Sequence, residues 1–152
     1  MSQTTAVSAA LEDYLEAILS LERANRPPRV RDIAKALSVH KSTVTAALKT
    51  LAEKALIDYR PYEITSLTPK GREIAEAVSQ NHRIIQRFLS EVLLLDGETA
   101  QSNACRLEHD VDRQVLDRLV LFAKYMKKNP EAGENFVEGF AKYVGELGGA
   151  GS

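Results

Sequence analysis

The sequence contains no tryptophan, and aromatic residues make up only 6% of it. That scarcity argues against a binder of single-stranded nucleic acid, which stacks bases on aromatic rings. There is one cysteine, Cys105, which excludes an internal disulfide framework and suits a reducing, cytoplasmic setting. No apolar run reaches the roughly eighteen residues that a membrane-spanning helix needs. The opening stretch, Met1 to Ala17, has no basic segment and carries Glu12, Asp13 and Glu16 in its apolar part, unlike a secretory signal. No charge of one sign dominates, with 20 Lys and Arg against 21 Asp and Glu. Disorder throughout is excluded by a hydrophobic fraction of 44% alongside 27% charged residues.

What is present is unevenly placed. Residues 30–72 hold eight basic and four acidic side chains, a net +4; residues 73–152 hold nine and thirteen, a net −4. The first region suits a polyanion and the second suits cations. We expect two domains, 1–72 and 73–152.

Apolar spacing predicts a helix from about Ala9 to Arg23, carried by Leu11, Leu15, Ile18 and Leu19. Pro27 and Pro28 stop it. A short helix follows with Val30, Ile33, Ala34 and Leu37 on one face, then the turn Ser38-Val39-His40, then a helix from about Lys41 to Lys54. Leu56 to Arg60 and Glu63 to Leu67 read as two short strands around Pro61. Thr68-Pro69 reads as an N-cap and first position of a long helix to about Leu94. Asp96-Gly97 breaks it, and helices over about 98–111, 113–128 and 131–147 complete the chain, with a flexible glycine-rich end at 148–152. The expected fold is mostly α, an N-terminal winged helix-turn-helix followed by an all-helical domain for dimerisation and metal binding.

In a winged helix-turn-helix the second helix of the motif lies in the major groove. Its exposed side here carries Lys41, Ser42, Thr45, Ala46 and Lys49. Lysines neutralise phosphates, hydroxyls bond phosphates or bases, and Ala46 can meet a thymine methyl. Backbone N–H groups near Ser42 and Thr43 offer a phosphate site, and the wing adds Arg60. The same pattern also describes the solvated face of a small helical domain. His40 reads as a turn residue or phosphate neighbour.

Cys105, Glu108 and His109 stand at i, i+3 and i+4, so on a helix their thiol, carboxylate and imidazole share one face. Such a set can hold a divalent transition metal. A small buried thiol beside a surface Glu-His pair would give the same letters. Asp13 and Glu16 form a second acidic pair, on the first helix, and His82 lies on the long one.

These segments together resemble a known family. Glu12-Asp13-Tyr14-Leu15-Glu16, Val30 through Thr45, Leu67-Thr68-Pro69-Lys70-Gly71, His82 with Phe88-Leu89, and Ala104 through His109 follow the order and spacing of the metal-dependent repressors related to the diphtheria toxin repressor and the manganese transport repressor. The likeness runs from about Leu11 to Lys128. It implies a winged helix on double-stranded operator DNA, a homodimer, and Fe(II) or Mn(II) as corepressor of metal-uptake genes. It also implies the two-domain type, since a third, SH3-like domain would need a longer chain. Residue by residue, it makes Asp13, Glu16, His82, Cys105, Glu108 and His109 the ligands. Gln86 and Gln101 stand where iron-type members carry ligands of an ancillary site, a departure from that branch. Carboxylates suit Mn(II), whereas a thiolate favours Fe(II), and also Co(II), Ni(II) or Zn(II) in vitro. Cys105 tips the expectation to Fe(II), with Mn(II) next. Three other readings compete, one of them a helical dimerisation module with no metal, in which Asp13, Glu16, Cys105, Glu108 and His109 are ordinary surface or core residues. A winged-helix regulator could sense oxidants through Cys105, although no resolving cysteine is present. A small metalloenzyme would need catalytic signatures that are missing. An apolar set on the helix after Val111, Val115, Leu119, Leu121 and Phe122, is the expected dimer face; helix 131–147 receives no role.

Overall fold

A computed structural model describes residues 7–149. The chain forms two compact units, one through Gln80 and one from Asn81.

The first unit opens with α1, Ala9–Arg23, whose N-cap Ser8 accepts a bond from the Leu11 N–H. Tyr14, Leu15, Ile18 and Leu19 form its buried stripe. α2, Val30–Leu37, ends at Ser38, which adopts the left-handed conformation that closes a helix C-terminus. α3, Lys41–Glu53, buries Val44, Leu48 and Leu51. A two-residue ladder follows, β1 (Ile57–Asp58) antiparallel to β2 (Ser66–Leu67), with Ile57 opposite Leu67. α4, Pro69–Arg87, begins in this unit. The three helices and both strands share one core, which also takes in Leu56 and Ala75. The strands are shorter than the expected 56–60 and 63–67. Pro61 cannot donate to a ladder, and the Thr65 N–H bonds to the Pro28 carbonyl at 2.9 Å instead of to β1.

Thr68 caps α4 as expected, its hydroxyl oxygen accepting from the Gly71 N–H at 3.1 Å. Gly71 is required there because a Cβ would lie 1.8 Å from the Leu56 carbonyl oxygen. Nearby, the Glu22 carboxylate of α1 pairs with Arg72 at 2.5 Å and accepts from the Leu67 N–H.

The second unit contains the rest of α4, a π-helical turn at Phe88–Val92, α5 (Gly97–Leu107), α6 (Arg113–Lys128) and α7 (Pro130–Gly149). The expected single helix to Leu94 is therefore interrupted. The Ser90 hydroxyl donates to the Gln86 carbonyl at 3.0 Å, and the Leu93 N–H reaches back to Phe88; a side chain competing for helix carbonyls widens the turn. α5 stops at Leu107, short of the expected Val111: the Asp110 and Val111 N–H groups both turn back to the Leu107 carbonyl, and Asp112 then caps α6 by accepting from the Gln114 N–H. α7 runs on through Gly148 and Gly149, where a flexible end was expected; residues 150–152 of that expectation lie outside the described residues. Ile85, Leu89, Ala100, Ala104 and Leu116 make the core of this unit. Phe88, Phe122, Phe136 and Phe140 form a chain of neighbouring rings about 6 Å apart. The fold is mostly α with an N-terminal winged helix-turn-helix and a C-terminal helical unit, as expected. No helix of the described residues is long and apolar enough to cross a membrane.

Candidate metal centre and nucleic-acid face

The second unit brings four of the six expected ligands together. His82 sits on α4 and Cys105 in the last turn of α5. Glu108 is the C-cap of α5 and keeps helical backbone angles, φ −58° and ψ −27°. Its N–H still bonds the Ala104 carbonyl at 3.0 Å. The helical register read from the sequence thus carries one residue past the helix end, and Cys105 and Glu108 share a face. His109 follows in the turn.

Glu108 is the centre of this group. It is 2% exposed, in company with Thr65 the buried polar residue of the described chain. A buried carboxylate persists only where partners replace its water. Its Oε2 lies 2.5 Å from His82 Nδ1 and its Oε1 lies 3.3 Å from His109 Nε2. Two imidazoles thus flank one carboxylate, one on each oxygen. Cys105 Sγ stands 3.7 Å from the same His82 nitrogen. Ligand atoms of His82, Cys105 and Glu108 all lie within 4.8 Å of one another, close enough for one ion to touch all three. The main-chain carbonyl of Glu108 accepts from Asn81 at 3.3 Å, which ties α4 to the end of α5. Nitrogen, sulfur and oxygen donors around a desolvated carboxylate fit a divalent transition ion. Cys105 is the exposed member. Asp13 and Glu16 lie one turn apart on α1, in the first unit.

The expected DNA face is on α3. Lys41, Ser42, Thr43, Ala46 and Lys49 are exposed, and Thr45 is half-buried. Lys41 opens the helix after His40, the N-cap residue, whose side chain makes no capping bond. Backbone N–H groups of the first turn are thereby left for an outside acceptor. The Thr45 hydroxyl donates to the Lys41 carbonyl at 3.0 Å. Its lone pairs, rather than its proton, are what it presents outward. Arg60 is exposed at the start of the wing tip.

Residues 6–64 match the family model described as the iron dependent repressor N-terminal DNA binding domain, and residues 68–136 match its metal binding and dimerisation domain. The chain belongs to the iron-dependent repressor family. It is 39% identical to an uncharacterised HTH-type transcriptional regulator of Methanocaldococcus jannaschii, over 80% of this chain and 98% of that one. It is 31% identical to the HTH-type transcriptional regulator MntR of Lysinibacillus sphaericus, over 80% of this chain and 87% of that one. Among solved structures, the manganese regulator SloR superposes with a TM-score of 0.68 at 30% identity, covering 76% of this chain and 54% of SloR. A manganese-dependent transcriptional repressor in complex with manganese gives 0.66 at 27% identity, over 72% and 50%. The chain thus spans about half the length of these solved structures. As an iron-dependent repressor family member it is a metal-dependent transcriptional regulator and not an enzyme.

Proposed function

We propose that this protein represses metal-uptake genes by binding operator DNA as a homodimer when Fe(II), or next Mn(II), occupies the cluster around Glu108. The carrying observation is the buried Glu108 carboxylate, flanked by His82 and His109 with the Cys105 sulfur beside it. A divalent cation bound there would supply the positive charge that a desolvated carboxylate and thiolate call for. Glu108 anchors the site, the imidazoles orient toward it, and Asn81 holds the main chain from which it projects. Cys105 supports the preference for Fe(II) over Mn(II), with Co(II), Ni(II) and Zn(II) as in vitro substitutes. The names of the relatives favour manganese, so the metal series is the test that matters.

The family resemblance adds Asp13 and Glu16 to the ligand set. Their participation would couple occupancy to the unit that carries α3. Lys41, Ser42, Thr43, Thr45, Ala46, Lys49 and Arg60 would meet the duplex, α3 lying in the major groove. Dimerisation through α6 is supported by Val115 and Leu121, which stay about half exposed. By linkage, tighter metal binding to the DNA-competent state equals tighter DNA binding of the metal-bound protein.

The experiment is operator binding, with the operator selected from a random library, measured anaerobically across Mn(II), Fe(II), Co(II), Ni(II) and Zn(II). Glu108→Ala and His109→Ala should lose metal stimulation while keeping helical content. Unchanged stimulation in both would defeat the proposal. The exposure of Cys105 keeps a second reading in play, a thiol that answers to oxidants. Thiol titration separates the two, because metal protects a ligated sulfur and leaves an unligated one reactive.

A further inference from the structure

The last helix carries an apolar face that is covered along its first half and open along its second. Gly133 seats the start of α7 on α6, so closely that a Cβ there would lie 2.8 Å from the Met126 carbonyl oxygen. Phe136 meets Phe122 edge-on at 6.2 Å and stacks with Phe140. Val137 and Phe140 are half-buried. Phe136, Phe140, Tyr143 and Leu147 follow at steps of four, three and four, which puts them on one helical face with Val144 at its edge. Yet Tyr143, Val144 and Leu147 stay 59%, 48% and 60% exposed. A contiguous apolar stripe left in water marks a surface that something covers. α6 has an open side as well, a groove lined by Val115, Arg118, Leu119, Leu121 and Tyr125, and Phe136 of α7 lines it too. The two open faces are therefore continuous. They differ in sign of charge. α6 holds five Lys and Arg against one Asp, a net +4, whereas α7 holds one Lys against four Glu, a net −3.

We infer that the second half of α7 docks into the α6 groove of a second copy of this chain, and that the second copy returns the same contact by two-fold symmetry. Tyr143, Val144 and Leu147 cover Val115, Leu121 and Tyr125 across the interface, and both stripes leave water together. Charge favours this exchange over its rivals. Pairing α6 with α6, or α7 with α7, brings like charge together, while α7 on α6 sets a net −3 against a net +4. The inference rests on the homodimer reading above and adds a segment to it. The family's dimerisation match ends at residue 136, and α7 runs on to Gly149. Residues 137–149 thus become a clasp laid across the partner.

The test uses the full chain with Mn(II), followed by sedimentation velocity over a dilution series. The double variant Tyr143→Ser/Leu147→Ser should raise the dimer dissociation constant at least about hundredfold, because symmetry removes each apolar contact twice. Ala141→Ser, exposed on another side of α7, should leave it unchanged. Far-ultraviolet circular dichroism verifies that both variants keep their helices. A second measurement identifies the surface that is touched. A chain labelled with heavy nitrogen, bearing a photoreactive benzophenone side chain in place of Leu147, is mixed with unlabelled parent and irradiated. Cross-links should join position 147 to α6 of the unlabelled chain. Cross-links confined to its own chain, or made to the other copy's α7, would overturn the docking. A parent that dimerises with a double variant of equal affinity would overturn the clasp and leave the homodimer standing. A parent that stays monomeric at every dilution would remove the homodimer reading as well.

Discussion

Replacing Glu108 with glutamine is the sharpest perturbation of the candidate centre. The side chain keeps its shape but loses its charge and one of its two acceptor oxygens. Without metal, two effects oppose each other. Each imidazole–carboxylate bond is worth about 1.5–3 kcal/mol. Against that, removing a desolvated charge relieves a penalty of several kcal/mol. We expect the apo proteins to differ by no more than about 2 kcal/mol in either direction. With metal the contrast is larger. An ion supplied at one hundred times its dissociation constant stabilises the native state by about 2.7 kcal/mol. For a chain of 152 residues that raises Tm by about 5–11 °C. A ligand-shell substitution that weakens affinity about hundredfold leaves only about 0.4 kcal/mol at the same concentration, or roughly 1–2 °C. The assay is calorimetry or thermal melting, anaerobic, with chelator in one arm and Mn(II) or Fe(II) in the other. Equal metal-induced shifts in parent and Glu108→Gln would show that the buried carboxylate is no ligand, whatever its neighbours.

Three more outcomes follow from the packing and capping. Gly71→Ala should cost more than about 3 kcal/mol in urea denaturation, since no side-chain rotation relieves a Cβ placed on the Leu56 carbonyl; a loss under about 1 kcal/mol would mean that α4 can shift there freely. Leu48→Ala should cost about 2–5 kcal/mol at a fully buried position of α3, and a near-neutral result would deny that α3 packs through this face. Asp96 caps α5, and the Thr99 N–H, followed by the Thr99 hydroxyl, holds its carboxyl below the ordinary range. A depressed native value means that the stabilisation is present above the unfolded-state pKa and is lost as pH falls through the native one. Asp96→Asn should therefore remove part of the acid-side decline in urea midpoint, and an identical pH profile would contradict the cap.

Local signals made much of the fold legible. Pro27-Pro28 separates α1 from α2, and at Ser38, Thr68-Pro69 and Asn129-Pro130 helices begin or end, so this punctuation acts within a few residues. Errors arose where a distant group decided. The wing strands were overestimated because a hydrogen bond from Thr65 to Pro28 lies 37 residues away in sequence. The break at Phe88 depends on the Ser90 hydroxyl choosing a helix carbonyl, which spacing does not disclose. At the candidate centre, the proximity of Cys105 and Glu108 was readable from helical spacing. That His82 meets Glu108 across 26 residues was accessible only through family resemblance. The burial of Glu108 was not readable at all, since charged letters ordinarily mean surface.

The tight seat of Gly71 against Leu56 bears on how the regulator can move. Together with the Glu22 bridge to Arg72 and to the Leu67 amide, it leaves the root of the wing without slack. The hairpin is thereby tied to α1 and to the start of α4 rather than standing as a separate flap. Under the proposed function, the wing and the opening turn of α4 would therefore meet a duplex as one piece, a fixed tool and not a hinged blade.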